Sequence, residues 1–375
     1  MVILNVYRRI AASHSVRILT PYLSESLIQK SGSNEYDRYV NFEVRRYHDR
    51  FSLMKLRGHK ASLGMIPPFS LSAVGAMNRE IRRFQPDVIN VHYVMPTGLA
   101  GLYAQKIKKI PVVITYNGRD VPGPGVPPLW KYWHQLIGRN SAAVTFVSAY
   151  CRDVIYGPGF RQGHIIYNGV EAPAAAASSR ICELRSRLGI EDHARILFAL
   201  QRLDPLKRVD VLIQSMPTIL QHFPRTHLIV GGKGSDLTRL KNTAQALNLA
   251  DRVHFAGYIS QDELPLYFNL ADLFVFHSTY ETFGMVLAEA MNYCKAIVSV
   301  DSSAIKEVVD NGENGILVPP LNAVAFGEAV VQLLGDRQKR HAFGQHGKQK
   351  VQELFLWEKI AGQYETVLRK AVTWS

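Results

Sequence analysis

The chain has 375 residues, of which 47% are hydrophobic, so it is long enough for two domains of ordinary size with full cores. Its formal net charge of +13 suggests an anionic partner: nucleic acid, an acidic membrane face or a phosphorylated substrate. The sequence has no apolar run of about 18 residues, which argues against a transmembrane helix. It also lacks zinc-finger spacing and an aromatic RNP signature, which argues against nucleic acid.

The start of the chain and its cysteines predict the compartment. Val2 to Leu4 is followed at once by Arg8 and Arg9, without a small-residue cleavage site, so a secretory signal is not expected. The three cysteines lie far apart without metal-ligand spacing, which is typical of free thiols in a reducing cytoplasm. We therefore expect a cytoplasmic protein.

Short apolar segments alternate with helix-period segments almost throughout the chain. Strands are predicted at Val16–Leu19, Val88–His92, Val112–Thr115, Ala143–Val147, His164–Tyr167, Arg195–Leu200, Thr226–Val230, Val253–Phe255, Leu273–Phe276, Ala296–Val300 and Gly315–Val318. The chain itself opens with Val2, Val6 and Ile10 at helical spacing rather than with a strand. Alternation of this kind predicts parallel sheets covered by helices.

The pattern divides the chain into two doubly wound, Rossmann-like domains. Residues 1–170 and residues 181–357 each have a β/α series of their own, and residues 171–180 (EAPAAAASSR) are predicted to be a linker. Residues 358–375 are predicted to form a final helix that crosses back to the first domain. Two such domains facing each other would place a ligand in a cleft at the carboxyl ends of the strands.

Basic and apolar residues are interleaved between residues 45 and 60. One interpretation is a surface that rests on anionic lipid, where each Lys or Arg contributes about 1 kcal/mol. The other is a solvated loop over a helix. Farther on, two polar residues end apolar strands of the first domain: His92, and Asn117 after Val112–Thr115. A strand-end histidine in a cleft can bind substrate, although an isolated histidine is more often structural.

In the second domain, Arg202 and Lys207 stand in the loop that follows the strand Arg195–Leu200. Two cations at this spacing can clamp a diphosphate, although surface Arg/Lys pairs are also common. Gly232 and Gly234 follow the next strand, where glycine admits close approach of a base or ribose, or simply makes a tight turn.

Residues 281–289 (ETFGMVLAE) lead from a strand into a helix that begins after Gly284. The first amides of a helix lack internal partners and carry partial positive charge, so this helix start can hold a phosphate. Glu281 precedes the turn, and Glu289 lies about 7–8 Å along the helix. One carboxylate near the phosphate and another farther along suit a nucleotide-sugar. The alternative is a buried helix with two incidental glutamates.

The stretch 281–289 resembles the E-x-F-G-x-x-x-x-E signature of the retaining glycosyltransferases of group 1 (family 4), which have the GT-B fold. Arg202 and Lys207 resemble the cations of that family's G-R-x-x-x-x-K-G stretch, with Gln201 and Arg208 where the family prefers glycines. Gly232 and Gly234 resemble its G-x-G loop. Residues 112–120 (VVITYNGRD) resemble its V-V-T-x-H-G-x-D, with Asn117 in place of the His that contacts the sugar.

The resemblance implies a retaining transferase that moves a sugar from a nucleotide-diphospho-sugar to a glycan or lipid-linked acceptor. It implies no cofactor and no metal, and a role in cell-envelope polysaccharide or glycolipid synthesis, peripheral on the inner face of the membrane. The implied catalytic residues are Arg202, Lys207 and Glu281. The implied donor-binding residues are Glu289, Phe283, Gly284, Met285, Val286, Gly232 and Gly234. His92 and Asn117 would lie on the acceptor or sugar side.

Two departures from the family keep another function open. The strand and Gly-Gly loop with which these proteins usually begin are missing, and Asn117 cannot titrate near neutral pH. The main alternative is a non-catalytic partner subunit that binds nucleotide-sugar. A GT-B epimerase or phosphorylase and a nucleic-acid binder are further alternatives.

Overall fold

The computed structural model describes residues 2–21, 43–47, 59–118, 120–121, 128–160 and 163–373. The polypeptide forms two compact units. Unit 1 combines Met1–Asn168 with Trp357–Ser375, and unit 2 is Gly169–Leu356. The last helix of the chain therefore belongs to unit 1.

Unit 1 contains a four-stranded parallel sheet, in which β3 to β6 lie in sequence order, and a separate parallel pair, β1 and β2. Its strands are β1 Arg17–Pro21, β2 Glu43–Tyr47, β3 Ile89–His92, β4 Val112–Tyr116, β5 Ala143–Phe146 and β6 Gly163–Ile165. Its described helices are α1 Val2–Ile10, α2 His59–Phe84, α3 Val94–Ile107, α4 Pro128–Arg139, α5 Ala149–Tyr156 and, at the end of the chain, α14 Trp357–Val372.

The central strand of this sheet explains why unit 1 packs as it does. All five residues of β4 are buried, as expected for a parallel strand covered on both faces. Helices α3, α4 and α5 join consecutive strands, and right-handed crossovers place such helices on one face of a sheet. Helix α14 contacts β4 and α1. An ion pair between Arg9 Nη2 and Glu358 Oε1 (2.8 Å) joins α1 to α14.

Unit 2 contains a six-stranded parallel sheet with the order β12-β11-β10-β7-β8-β9. Its strands are β7 Arg195–Leu200, β8 Thr226–Gly231, β9 Val253–Gly257, β10 Leu273–Val275, β11 Ile297–Val300 and β12 Gly315–Val318. Its helices are α6 Ser178–Arg187, α7 Val209–His222, α8 Leu237–Ala246, α9 Leu264–Leu270, α10 Met285–Asn292, α11 Ile305–Val308, α12 Ala323–Gly335 and α13 Arg337–Leu354.

The strand order of unit 2 reverses between β7 and β10, which are hydrogen-bonded neighbours. Strands β8 and β9 extend the sheet on one side, and β11 and β12 extend it on the other. Such a reversal opens a crevice at the carboxyl ends of the strands, where doubly wound proteins bind ligands. The loops that follow β7 and β10 flank this point.

The sequence predicted the fold class correctly: an α/β protein built of parallel sheets covered by helices. Each predicted strand is present with ends shifted by at most two residues, and the chain begins with a helix. The strand β2 was not predicted, because Glu43–Tyr47 (EVRRY) lies at the start of the segment that was interpreted as a basic surface. Residues 48–58 of that segment lie outside the described residues. Helix α6 begins at Ser178, so residues 178–180 of the predicted linker are helical.

Within the described ranges, no helix combines the length and the hydropathy that are needed to cross a bilayer.

Candidate functional site

Four loops meet at the carboxyl ends of the strands of unit 2. Leu203 N–H donates to the carbonyl of Lys233 (3.0 Å), which joins the loops after β7 and β8. Thr279 N–H donates to the carbonyl of Leu206 (3.1 Å), which joins the loops after β10 and β7. The loop after β11 donates from Ala304 N–H to Glu281 O (3.3 Å). The predicted site residues on these loops are therefore held together by backbone contacts.

Lys207 and Glu281 form the centre of this cluster. Lys207 Nζ makes an ion pair with Glu281 Oε1 and lies 3.5 Å from Ser278 Oγ. Both charged side chains are only 15% exposed. The backbone N–H of Glu281 donates to Ser303 Oγ (2.9 Å), which fixes the backbone of the residue that carries the carboxylate. The structure therefore places a cation and a carboxylate from two different loops in direct contact.

Gly284 begins the helix that the sequence predicted. It adopts φ 87° and ψ 56°, a left-handed conformation that glycine takes without the steric cost of a Cβ. Helix α10 starts at Met285, and no side chain caps its amino end. The first-turn amides, including those of Met285 and Val286, have no partner within the helix. Phe283 is buried and contacts the ring of Phe355 edge-on (5.3 Å), which indicates a packing role for its side chain.

Arg202 is placed differently from Lys207. Its Nη2 pairs with Asp204 Oδ2 (2.9 Å), two residues along the same loop, and its side chain is 68% exposed. Because exposed pairs contribute little, this ion pair leaves the guanidinium able to turn toward another anion. Each of the two cations of the predicted clamp is thus paired with a different carboxylate, and their joint binding of a diphosphate stays a prediction.

The backbone conformation at Arg208 shows why the family that this chain resembles prefers glycine at this position. Arg208 adopts φ 47° and ψ 42°, in the left-handed region that glycine favours, just before α7. Two hydrogen bonds to Asp210 hold it there, from Nε to Oδ1 (3.0 Å) and from Nη2 to Oδ2 (2.9 Å). This chain therefore keeps the turn by side-chain bonding where glycine would keep it by conformational freedom.

Gly232 and Gly234 are required by the neighbouring backbone. A Cβ at Gly232 would clash with the carbonyl oxygen of Gln201, and one at Gly234 would clash with the carbonyl oxygen of Leu203. Gly232 also has φ 128°. The loop after β8 therefore packs directly on the loop that carries the two cations. The sequence left two reasons for these glycines open, close approach of a base or ribose and a tight turn.

Glu289 lies on α10, five residues beyond Gly284. The residue is half-buried, and desolvation raises the pKa of its carboxyl group to about 7. Its charge therefore changes near neutral pH, which makes any ligand contact of this group sensitive to pH.

His92 and Asn117 of unit 1 lie side by side, as the ends of neighbouring strands. Asn117 Nδ2 lies 3.0 Å and its Oδ1 3.2 Å from His92 Nδ1, while His92 Nε2 lies 3.1 Å from the hydroxyl of Tyr7. Both ring nitrogens therefore have protein partners. Burial lowers the pKa of His92 to about 4, so the imidazole is neutral at physiological pH.

Asp120 ties the loop after β4 to the first turn of α3. Its Oδ1 accepts hydrogen bonds from the N–H groups of Asn117 and Gly118 (both 3.0 Å), and its Oδ2 accepts one from Val94 N–H (3.3 Å). Burial raises the pKa of this carboxyl group to about 6.

Sequence reasoning did not select Asp120, although the residue ends the quoted stretch 112–120. Gln201 was also missed as a positioning residue. Its Nε2 donates to the carbonyl of Lys207 (3.1 Å). In the part of the chain that the structure describes, no group of three or more His, Cys, Asp or Glu residues is arranged to hold a metal ion.

Two family models match the two parts of the chain. Residues 1–172 match the model described as Glycosyltransferase Family 4, and residues 181–350 match that of Glycosyl transferases group 1. The N-acetyl-alpha-D-glucosaminyl L-malate synthase of Bacillus anthracis is 25% identical over 331 residues, covering 87% of this chain and 86% of that protein. A GDP-mannose-dependent alpha-(1-6)-phosphatidylinositol monomannoside mannosyltransferase of Mycobacterium tuberculosis is 28% identical over 274 residues, 69% of each chain.

Solved structures show the same fold. The Anabaena HepE structure in complex with UDP and glucose aligns with a TM-score of 0.75 at 21% identity, covering 98% of this chain and 94% of that one. The sucrose-phosphate synthase of Thermosynechococcus elongatus aligns with a TM-score of 0.74 at 20% identity, covering 96% and 100%.

The chain has two Rossmann-like units with parallel sheets, and in unit 2 the strand order reverses beside a polar cluster at the strand ends. Together with the matching solved structures, these features define a GT-B protein. Since the two family models together span almost all of it, the chain belongs to the group 1 (family 4) glycosyltransferases. It is a glycosyltransferase, as the resemblance implied.

Proposed function

We propose that the enzyme transfers a sugar from a nucleotide-diphospho-sugar to a glycan or lipid-linked acceptor, with retained anomeric configuration and without a metal ion. The observation that carries this proposal is the contact of Lys207 with Glu281 beside the uncapped start of α10. The UDP and glucose in the related HepE structure, and the GDP-mannose in the name of the mycobacterial relative, support a nucleotide-sugar donor.

In the proposed reaction, the bond between the anomeric carbon and the phosphate oxygen breaks as the acceptor oxygen attacks from the same face. The leaving diphosphate takes up the proton of the acceptor hydroxyl, so no protein nucleophile is required. Lys207, the first-turn amides of Met285 and Val286, and Arg202 after it leaves Asp204 would stabilise the charge that grows on the diphosphate. These positive groups would do what a divalent metal does in other transferases, which is the basis for proposing metal independence.

The ion pair with Lys207 also gives Glu281 a role in the proposed reaction. A phosphate oxygen that approaches Lys207 competes with the Glu281 carboxylate for the same ammonium group. Once displaced from Lys207, the carboxylate can accept hydrogen bonds from hydroxyls of the donor sugar. Farther along α10, Glu289 would accept hydrogen bonds from the ribose. Gly232 and Gly234 would let the loop after β8 lie close to the nucleoside.

A ligand screen tests the donor proposal. Purified protein is heated with UDP, GDP and ADP, and with matching nucleotide-sugars, and the midpoint of unfolding is recorded. A ligand at 100 times its Kd should stabilise the protein by about 2.7 kcal/mol. Absence of a shift with every nucleotide at millimolar concentration would contradict a donor site. Transfer with the preferred donor, followed by NMR of the product's anomeric proton, then tests retention, and a chelator tests metal independence.

The environment of Asn117 favours a second candidate, a non-catalytic subunit that binds nucleotide-sugar. Asn117 stands where the resembled family has a histidine that contacts the transferred sugar, and both ring nitrogens of the neighbouring His92 already have protein partners. A thermal shift with the donor, but no hydrolysis of the donor and no transfer to any acceptor extract, would favour this candidate over the enzyme.

For the acceptor, we propose a glycan or lipid-linked molecule of the cell envelope. The phosphatidylinositol monomannoside in the name of the mycobacterial relative supports a lipid-linked acceptor. Contact of the basic segment 45–60 with an anionic membrane stays a prediction, because most of that segment lies outside the described residues.

A further inference from the structure

Two neighbouring serines in the loop after β11 hold the loop that carries Glu281. Ser302 Oγ donates to the carbonyl oxygen of Ser278 (2.8 Å), and Ser303 Oγ accepts from the backbone N–H of Glu281 (2.9 Å). The N–H of Ala304 donates to the carbonyl oxygen of Glu281 (3.3 Å). The loop after β10 is therefore bonded at both of these residues, and we call Ser302 and Ser303 the β11 serine pair.

Both residues that the β11 serine pair holds also contact Lys207. Ser278 Oγ lies 3.5 Å from Lys207 Nζ, and Glu281 Oε1 makes the ion pair with the same ammonium group. Ser278 is fully buried, and its hydroxyl donates to the carbonyl oxygen of Tyr280 (3.0 Å), so its lone pairs can accept from the cation. The serine pair therefore sets the backbone of two groups that surround the Lys207 ammonium.

Ser303 keeps its hydroxyl in place at a conformational cost. Its φ of 48° lies in the left-handed region, where a Cβ is unfavourable. Glycine would adopt this φ without that cost, but it has no hydroxyl group to accept from Glu281. The side chain of Ser303 therefore adds something that the turn itself does not need, which is a bond to the residue that carries the carboxylate.

The loop after β11 also has backbone hydrogen bonds of its own. The N–H of Asp301 donates to the carbonyl of Val318 (2.8 Å), and the N–H of Ile305 donates to the carbonyl of Ser302 (3.1 Å). These bonds anchor the loop to β12 and to α11. Since the loop is already anchored, the two serine hydroxyls act mainly on the neighbouring loop after β10.

We propose that Ser302 and Ser303 are positioning residues of the transferase, which hold Ser278 and Glu281 around the Lys207 ammonium before the nucleotide-sugar binds. The inference rests on the roles proposed above for Lys207 and Glu281. Groups that are held in place orient a substrate and stabilise developing charge without having to move during the reaction. Loss of the serine hydroxyls should therefore lower turnover, whereas a free nucleotide, which lacks the sugar, should bind almost as before.

Single variants test the proposal by separating turnover from binding. Ser303→Gly removes the hydroxyl and relieves the left-handed φ, so the fold should not lose stability. We expect kcat to fall about tenfold, the effect of about one lost hydrogen bond, and the Kd of the free nucleoside diphosphate to change less than about twofold. Ser302→Ala should have a smaller effect, because the bond to Glu281 remains. Kinetics, calorimetric titration and the midpoint of thermal unfolding supply the three measurements.

Two further variants serve as references. Ser303→Asn keeps a side-chain acceptor in a residue type that tolerates the left-handed region, so it should recover most of the kcat that Ser303→Gly loses. Ser215→Ala removes a buried hydroxyl that donates to the carbonyl of Leu212 (2.8 Å) inside α7, and it should keep the wild-type kcat.

A double variant shows whether Ser303 acts through Glu281. In the Glu281→Gln background, Ser303→Gly should cause less than about twofold further loss of kcat, whereas a role in loop stability alone would add its full loss. Additive losses, a wild-type kcat of Ser303→Gly, or a fall in kcat that accompanies a lower unfolding midpoint would each overturn the inference. Normal turnover of Lys207→Ala and Glu281→Gln would contradict the proposed function as well, so the two failures are distinguishable.

Discussion

Lys207 and Glu281 are 74 residues apart in the chain, yet they form an ion pair across the loops that follow β7 and β10. This contact joins the two sides of the point where the strand order of unit 2 reverses. A nucleotide-sugar that uses Lys207 for its diphosphate must therefore change the environment of Glu281 as well. Because the two groups are in contact, the effects of substituting both should not add.

Removing the cation should mainly impair turnover. Lys207→Ala is expected to lower kcat at least about 100-fold, the loss typical of one preorganised donor that stabilises a developing anion, about 2.7–4 kcal/mol. Steady-state kinetics with a saturating nucleotide-sugar measures this. Lys241→Ala on the exposed side of α8 is the control and should leave kcat unchanged. Near-normal turnover of Lys207→Ala would contradict its assignment to the leaving group.

The same loss is expected for Arg202→Ala, at least about 100-fold in kcat, if the guanidinium turns from Asp204 to the diphosphate during the reaction. The partner supplies a control, because Asp204→Asn removes the ion pair but leaves the cation. That variant should keep its activity or gain slightly. If Arg202→Ala and Asp204→Asn have the same small effect, Arg202 only stabilises its own loop, and Lys207 with α10 carries the diphosphate alone.

Glu281→Gln should separate binding from chemistry. Without the competing carboxylate, Lys207 is free to pair with phosphate, so we expect the free nucleoside diphosphate to bind about fivefold more tightly, or about 1 kcal/mol. Turnover should fall, because the amide is a poorer acceptor for sugar hydroxyls. Calorimetric titration with the nucleotide and kinetics with the nucleotide-sugar provide the two numbers. Weaker binding of the nucleotide would show that the ion pair does not compete with phosphate.

The sequence predicted the strands of unit 2 well, because buried parallel strands are continuous apolar runs. Strand β2 was not predicted for the opposite reason. Its charged residues pair with charged residues of the neighbouring strand β1, as Glu43 Oε2 does with Arg17 Nη2 (2.6 Å). Such a strand has no apolar run, and only the position of β1 beside it reveals the pairing.

The site was predictable only in part. Spacing indicated which loop would hold Arg202 and Lys207, but it could not indicate that one cation pairs with Asp204 and the other with Glu281, since this depends on side-chain directions. Asp120 was missed because its importance comes from burial and from three backbone donors. Those contacts become visible only when the loop and the start of α3 are in place.

Protonation of Asp120 should lower the activity at acidic pH, so the pH profile should have an acidic limb. The Asp120 carboxylate must be ionised to accept from all three N–H groups, so protonation below its pKa of about 6 should loosen the Asn117 loop and lower kcat/KM for the acceptor. Asp120→Asn should be less active and should lack this limb near pH 6. A pH profile measures both effects. Asp153→Asn in the same unit, an acid paired with Arg152, is the control and should keep the wild-type profile. If Asp120→Asn keeps the same loss of activity near pH 6, a group other than Asp120 causes that loss.

Glu289 should make nucleotide binding depend on pH near neutrality. Burial raises its folded pKa to about 7 from 4.5. The folded protein therefore holds a proton that the unfolded chain has released, so this group's contribution to stability falls as the pH rises from about 4.5 to 7. A ribose that donates hydrogen bonds to the carboxylate needs the ionised form, so nucleotide affinity should rise over pH 6–8 and level off above it. Glu289→Gln should bind more weakly and without this pH dependence, as measured by calorimetry at constant ionic strength. If the variant keeps the wild-type pH dependence, the ribose contact belongs to another residue.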